Sequence, residues 1–284
     1  MIIHSGAGIS GCNIQLIENS IVRKVSPSIE YNDRLKSQMK KQLYFNMPIS
    51  VDITVPNVLA NGYINDLFYF DMEYINGVLF NEMFHRISIK ELDEYFQILR
   101  RYLNRPNYLY YDKIELENII VNKLLSLKSK SQYKKLIKWV LNNIHIEKTL
   151  VKGYCHGDLT FSNILFLPGQ FCFLDFLDSY IESPIMDFVK LKQDLYYGWY
   201  LNFLPMDEIY LARSKQIFKY MWKRIEKEWG EIINTELFHI LDVINYLRIE
   251  PYITTTLQAN VLNKVIGETV IYAKFNSSNG RKLQ

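Results

Sequence analysis

The chain has 284 residues and a mass of 33.8 kDa, room for one large domain or two modest lobes with cores of their own. Hydrophobic residues at 49% and charged residues at 22% describe a folded globular protein and exclude a disordered one. Thirty-three Lys and Arg against thirty Asp and Glu leave +3, too small an excess to argue for a nucleic acid or an anionic membrane as partner.

Three cysteines, Cys12, Cys155 and Cys172, are odd in number and too few for a disulfide scaffold. They fit a reduced, cytoplasmic protein in which each is a small buried hydrophobe. The opening MIIHSGAGIS has no basic stretch followed by an apolar one, so no secretory signal is expected. The longest uncharged apolar run near the middle, Leu195 to Met206, is too short to insert across a bilayer.

In chain order, Cys12 to Ile17 and Ser20 to Val25 read as two short strands about the turn Glu18-Asn19. Asn32 to Phe45 carries Leu35, Met39, Gln42 and Leu43 at helical spacing, a surface helix. Val58-Leu59 and Leu67 to Tyr74 are two further strands flanking the turn residues Asn61-Gly62 and Asn65-Asp66. After Gly77 the texture becomes helical. Leu92, Tyr95, Phe96, Leu99 and Leu103 keep a helical period, as do Tyr133, Leu136, Ile137, Val140, Leu141 and Ile144. Two more helices are expected, over 207–229, stopped by Gly230, and over 235–247, opened by Thr235. Between the stretch ending at Ile144 and the helix expected from 207 lies one β island, Ile164 to Phe166 and Phe171 to Leu174 about the turn Pro168-Gly169.

Gly6, Gly8 and Gly11 satisfy G-x-G-x-x-G, a pattern shared by dinucleotide-binding and kinase-type phosphate loops. The residues after Gly11 alternate like a strand, so the context is strand–loop–strand, the arrangement that covers a nucleotide's phosphates with backbone N–H groups.

The strongest signal is HGDLTFSN, His156 to Asn163. An aspartate followed five residues later by an asparagine, on a loop entering a strand, suits phosphoryl transfer: a carboxylate to take the proton of an attacking hydroxyl and an amide oxygen to ligate a metal ion. The hairpin returns the chain to Leu174-Asp175-Phe176, and Asp175 supplies a second oxygen donor for Mg²⁺ on the β- and γ-phosphates. His156 is read as a hydrogen-bonded structural residue that holds the loop, leaving the base role to Asp158. Asp178 and Glu182 beyond this segment, with Tyr196, Tyr197, Trp199 and Tyr200, suggest an acidic or aromatic acceptor pocket, although helical core packing is the preferred reading of the aromatics.

On these residues the chain is similar to the aminoglycoside phosphotransferase and choline kinase family, small-molecule relatives of the protein kinases. The resemblance covers essentially the whole chain and is most specific from Tyr154 to Leu191, where HGDLTFSNILF resembles the catalytic loop and LDFLD the metal-binding segment. It implies an α+β, two-lobed protein-kinase-like fold. A small β-rich nucleotide-binding lobe would span 1–75 and a larger helical catalytic and acceptor-binding lobe 76–284.

It further implies that Asp158 is the catalytic base, that Asn163 and Asp175 ligate Mg²⁺, and that Asp187 braces the catalytic loop. Lys24 would hold the α- and β-phosphates of ATP or GTP. The backbone at Glu73 and Ile75 would bond adenine, and Ser10-Gly11 would mark the turn of the nucleotide-covering loop. The helix Asn32 to Phe45 departs from the family pattern: where the lysine's glutamate partner belongs it offers only Gln38 or Gln42. A glutamine bonds an ammonium but brings no charge.

The activity implied is transfer of a γ-phosphoryl group to a hydroxyl of a small molecule. A sugar or glycan precursor is ranked first, because DFLDSYIESPIMDFVKLKQDL is similar to members associated with bacterial surface-polysaccharide assembly. Choline or ethanolamine-type alcohols are the alternative, and a nucleotide-binding module without turnover is the rival from another class. A protein kinase is excluded, since the H-R-D, D-F-G and A-P-E set is absent.

Overall fold

The structure, a computed structural model, describes residues 2–7, 11–45, 52–105, 109–128, 131–144, 146, 149–204 and 207–280. Strands β1 (Ile2–Ala7), β2 (Asn13–Ile17), β3 (Ile21–Val25), β4 (Ile53–Thr54), β5 (Val58–Ile64), β6 (Leu67–Glu73) and β7 (Val78–Leu79) fill the first part of the chain. β8 (Leu109–Tyr111), β9 (Leu150–Lys152), β10 (Ile164–Leu167) and β11 (Gln170–Phe173) follow. The α-helices are α1 (Asn32–Phe45), α2 (Phe80–Arg86), α3 (Ile89–Leu103), α4 (Lys113–Lys128) and α5 (Lys134–Asn143), then α6 (Ile185–Leu195), α7 (Glu208–Ile233), α8 (Glu236–Ile249) and α9 (Thr256–Gly280). No helix among the described residues is long and apolar enough to cross a membrane.

Two compact units divide the chain, Met1–Arg105 with Thr160–Asp178, and Pro106–Leu159 with Ser179–Gln284. This is a different partition from the lobes 1–75 and 76–284.

The first unit holds a five-stranded antiparallel sheet in the order β1-β2-β3-β6-β5. Its tight turns fall where the sequence has Asn and Asp. Glu18 and Asn19 (φ 50° and 56°) join β2 to β3, and Asn65 and Asp66 (φ 49° and 63°) join β5 to β6. Paired positive φ is what a primed hairpin turn requires. The apolar stripe of α1 lies on this sheet, with Leu35 and Met39 against Cys12, Phe68 and Phe70. Asn61-Gly62 is not a turn: β5 runs through it, pairing Asn61 with Phe70 and Gly62 with Tyr69. The Tyr69 ring covers Gly62, 3.2 Å from where a Cβ would stand, so cross-strand packing overrides the local turn signal.

A second sheet, in the order β4-β11-β10-β7, is built around the expected β island, whose turn Pro168-Gly169 carries a glycine at φ 68°. Its inner face is aromatic: Tyr95 of α3 stacks on Phe171 at 5.2 Å between centroids, and Phe166 meets Phe84 of α2 and Phe171 edge-on. The Tyr95 hydroxyl donates to the Leu167 carbonyl at 2.7 Å, so the one polar tip in this cluster is satisfied. Helix α3 starts from a capping box, Ser88 accepting from the Glu91 N–H and Glu91 from the Ser88 N–H.

The second unit contains the ribbon β8-β9 and helices α4 to α9. All eleven residues of α6 are buried, among them Asp187, Lys190, Lys192, Gln193 and Asp194. A helix enclosed on every side needs partners for each polar group. Lys192 finds Asp242 of α8 at 2.7 Å. Helix α7 opens on the Asp207 cap and kinks at Trp229 (φ −121°, ψ 26°), beside the expected stop Gly230, with a short helical segment continuing to Ile233. Thr235 caps α8 as expected, accepting from the Phe238 N–H at 3.2 Å.

Gly77 lies so close to β10 that an added Cβ would stand 2.7 Å from Leu165 Cβ. Gly77→Ala is therefore expected to destabilise the chain by about 1–3 kcal/mol through overpacking. Gly169→Ala, with open space around it but φ at 68°, is expected to cost only about 1 kcal/mol of backbone strain. Urea unfolding of both variants checks the order, and a smaller loss at Gly77 would refute the close approach.

Candidate active site

In the first unit the hairpin β10–β11 sets Asn163 and Asp175 at neighbouring positions. Asn163 immediately precedes β10, and the Leu174 N–H donates to its carbonyl at 2.9 Å. The next residue, Asp175, takes φ 60°, a left-handed conformation that few residues other than glycine and Asn/Asp adopt. Beside it Phe176 is buried and packs on Phe45 of α1, ring centroids 4.6 Å apart. Anchored by that ring, the Asp175 carboxylate stays half-exposed, with 48% of its side chain accessible.

Strand β3 delivers Lys24 to this carboxylate. Neighbouring side chains on a strand point to opposite faces, and here the separation is complete. Arg23 forms a two-bond pair with Asp71 on β6, at 2.7 and 2.8 Å, and lies over the Tyr69 ring. Lys24 is 4% exposed and its ammonium donates to Asp175 Oδ1 and, at 3.1 Å, to Gln38 Oε1. Of the two glutamines on α1 it is thus Gln38 that meets the lysine; Gln42 donates instead to the Pro56 carbonyl at 2.8 Å. Burial pulls the Lys24 ammonium toward neutrality, but the charge and hydrogen bond of Asp175 outweigh it and leave its pKa raised.

Glu73 ends β6, its N–H donating to the Asn57 carbonyl at 3.0 Å, and Ile75 follows in the connection to β7. Gly11, exposed at φ 78°, stands between β1 and β2, which pair antiparallel with Gly6 opposite Ile14. Ser10 and Gly8 lie outside the described residues.

In the second unit the loop from Gly153 to Leu159 is held from below. The Gly153 N–H donates to the Glu182 carbonyl at 2.9 Å. The wholly buried Asp187, at the start of α6, accepts from the His156 N–H at 3.1 Å and the Gly157 N–H at 3.0 Å, one on each oxygen. Gly157 takes φ 82°, which a residue with a Cβ resists. His156, also fully buried, accepts the Asp158 N–H on Nδ1 at 3.2 Å, so it holds the loop as expected of a structural residue.

The Asp158 carboxylate that this loop presents is 29% exposed and pairs with Lys190 Nζ at 3.0 Å. Burial would raise its pKa; the Lys190 charge and hydrogen bond, with His156 and Arg248, overcome this and hold it below the ordinary carboxylate range. The group is therefore held as an anion near neutral pH. Sequence reasoning missed Lys190. The available signal was spacing: Lys190 follows Asp187 by three residues, one helical turn on the face that meets the loop.

The donor set of Asn163 and Asp175 fits a hard divalent cation: one amide oxygen and one carboxylate at adjacent positions, as Mg²⁺ prefers when phosphate and water complete its shell. Among the described residues no group of three or more His, Cys, Asp or Glu is clustered as an all-protein metal cage. Of the presumed acceptor residues, Asp178 is exposed, while Glu182 accepts from the Ser179 N–H at 3.3 Å and lies 3.6 Å from Cys155 Sγ. Trp199 is buried and packs edge-on against Phe203. Tyr196 and Tyr197 instead line a cleft of about 380 Å³ with Trp222 and the lysines 215, 219 and 223 of α7.

Comparison with protein families matches residues 20–215 to the APH model, described as the phosphotransferase enzyme family. Comparison with curated proteins gives no match. Among solved structures the chain resembles APH(2")-IIia in its complex with GDP and kanamycin, at 15% identity and a TM-score of 0.56, covering 98% of this chain and 94% of that one. It also resembles wild-type aminoglycoside 2'-phosphotransferase-IIIa with GDP, at 14% identity, TM-score 0.56, and 99% and 94% coverage. The ternary complex of APH(2")-IIa with streptomycin and ATP is similar at 18% identity, TM-score 0.52, and 86% coverage of each chain. These resemblances give the fold: α+β, two-lobed and kinase-like.

Asp187→Ala removes the acceptor of two buried N–H groups. Each orphaned donor costs about 1–3 kcal/mol, so unfolding free energy is expected to fall by about 2–6 kcal/mol, with a smaller loss for Asp187→Asn, which keeps one acceptor oxygen. A denaturation difference below about 1 kcal/mol for Asp187→Ala would show that the loop does not depend on this carboxylate.

Proposed function

The chain belongs to the phosphotransferase enzyme family, and we propose that it moves the γ-phosphoryl group of ATP or GTP to a hydroxyl of a small molecule, a sugar or glycan precursor, in the cytoplasm. The observation that carries this reading is the Asp158 carboxylate, presented by a braced loop and kept ionised by Lys190 at 3.0 Å. Nucleotide binding is assigned to residues 1–75 and acceptor chemistry to 76–284.

The acceptor oxygen attacks the γ-phosphorus, the bond from that phosphorus to the β–γ bridging oxygen breaks, and the hydroxyl proton goes to Asp158. Lys24 holds the α- and β-phosphates, with Gln38 bonding its ammonium from behind. The backbone at Glu73 and Ile75 bonds the base, and Ser10-Gly11 turns over the phosphates. Asn163 and Asp175 would hold Mg²⁺, which neutralises charge on the phosphate oxygens when bound. A choline-type alcohol is the alternative acceptor. Because Gln38 brings no charge to Lys24, the variants below also test whether the chain binds nucleotide without turnover.

Asp158→Asn keeps the shape of the site but cannot take the proton, so turnover is expected to fall about 10²–10⁴-fold with Mg²⁺-nucleotide affinity nearly intact. Asp175→Asn is expected to weaken Mg²⁺-dependent nucleotide binding as well. Lys24→Ala should lose about 1–3 kcal/mol of nucleotide binding or turnover. Calorimetry with a non-hydrolysable nucleotide and steady-state rates read both quantities, and equal small effects of the two aspartate variants would favour the binding module.

The acid limb of activity offers an independent check. Asp158 must be ionised to work, and Lys190 is the strongest of the groups that hold its carboxyl down, so in Lys190→Met only the weaker His156 and Arg248 oppose burial and the carboxyl rises. The acid limb of the kcat/KM profile is expected to move to higher pH in that variant. An unmoved limb would detach Lys190 from the base.

A further inference from the structure

Around Asp158 the second unit carries a polar cluster that proton transfer alone leaves unexplained. Lys190 Nζ, besides its bond to Asp158, donates to Gln193 Oε1 at 3.2 Å, and the same oxygen accepts from Asn245 Nδ2 at 2.9 Å. Asn245 and Arg248 are three residues apart on α8 and so share a face. The Arg248 guanidinium lies over the Tyr180 ring, 5.0 Å from its centroid, and Lys123 Nζ lies 5.7 Å from the same ring.

Three polar atoms of this cluster are withdrawn from solvent and have no hydrogen-bond partner among the described residues: the Tyr180 hydroxyl, Arg248 Nη1 and Asn245 Oδ1. Asn245 itself is 1% exposed. Folded proteins leave few such groups unmatched, because each forfeits its bonds to water without replacement. Three of them joined to one functional carboxylate, Asn245 through Gln193 and Lys190 and Tyr180 through Arg248, ask for a common partner. The set has a definite chemistry. Two are donors, one of them cationic, and one is an acceptor. Lys123 and Arg248 face the Tyr180 ring and Lys190 pairs with Asp158, so the cluster carries cationic side chains on both sides of that carboxylate.

We propose that Tyr180, Asn245 and Arg248 seat the phosphoryl acceptor, and that this acceptor carries an anionic group, carboxylate or phosphate, on a hydroxylated skeleton. Arg248 and Tyr180 donate to the anion, and Asn245 accepts from a hydroxyl. The proposal rests on the phosphotransferase reading and narrows its substrate. It reverses the sign of the acidic pocket expected from Asp178 and Glu182. The Arg248 charge also reaches Asp158 and helps to keep it ionised, so the seat and the base belong to one electrostatic environment.

The test is a calorimetric titration of the full chain, with and without a non-hydrolysable Mg²⁺-nucleotide, using four probes: glucuronate, glucose 6-phosphate, glucose and kanamycin. At least one anion is expected to bind about 10–100-fold tighter than glucose, the ratio that a charge-assisted hydrogen bond supplies, and kanamycin more weakly than that anion. Which anion wins separates a carboxylate from a phosphate source.

Arg248→Met is expected to lower the anion's affinity by about the same 10–100-fold. Tyr180→Phe should weaken anion binding without lowering the melting temperature, because the hydroxyl it removes has no internal partner to lose. Glucose or kanamycin binding as tightly as both anions would overturn the proposal. So would a Tyr180→Phe variant that melts earlier yet binds the anion normally, which would mark a structural, water-filled cluster. Nucleotide binding is read in the same titrations: anion binding without nucleotide binding would sink the phosphotransferase reading and spare the seat, and the reverse would sink the seat alone.

Discussion

The buried carboxylate of Asp187 is the constraint on which the loop presenting Asp158 depends. Its two oxygens accept the N–H groups of His156 and Gly157, and these are backbone groups that no regular element would otherwise satisfy. Once they are fixed, Gly157 turns at positive φ and Asp158 emerges with its own N–H held by His156. A charge inside a protein survives only where hydrogen bonds replace its water. Asp187 meets that condition with the backbone of the loop it positions, so the cost of burying it and the placing of Asp158 are settled by the same bonds.

The same logic governs the lysines. Lys24, Lys190 and Lys192 are each less than a tenth exposed, and each sits against a carboxylate: Asp175, Asp158 and Asp242. Buried pairs contribute little net stability against well-packed apolar residues, because desolvation offsets the Coulomb gain. Breaking one is costly, since it strands the partner. Such pairs therefore hold geometry more than they add stability. Two of the three involve residues assigned to the phosphoryl-transfer chemistry, and helix α6 supplies two of the lysines along with Asp187.

The first unit solves a different problem, that of holding Asp175 in a left-handed conformation at the end of a hairpin. Phe176 packs on Phe45, and the aromatic face of the small sheet fixes β11, so the unfavourable φ is over-determined by its surroundings. Lys24 then meets a carboxylate whose position comes from packing and not from its own side-chain preferences. Gln38 adds a hydrogen bond without a charge, which leaves Asp175 as the ionic partner of that lysine.

The amino-acid sequence by itself determined most of the elements and singled out the candidate site residues. Helix α1, the β10–β11 hairpin and the cap at Thr235 follow from local period and turn or cap residues, and these act within a few positions along the chain. HGDLTFSN and LDFLD were legible because spacing along one loop and one hairpin fixes which residues come near each other. Tertiary structure decided what depends on distant partners. Strand β5 continues through Asn61-Gly62 because Tyr69 covers the glycine, and a short helical segment follows the kink that α7 makes at Trp229. Gln38, and not Gln42, meets Lys24, since only the packing of α1 says which face is presented to β3. Lys190, Asn245 and Arg248 surround or join the Asp158 cluster from positions 32 to 90 residues away in sequence, a separation over which no periodicity carries information.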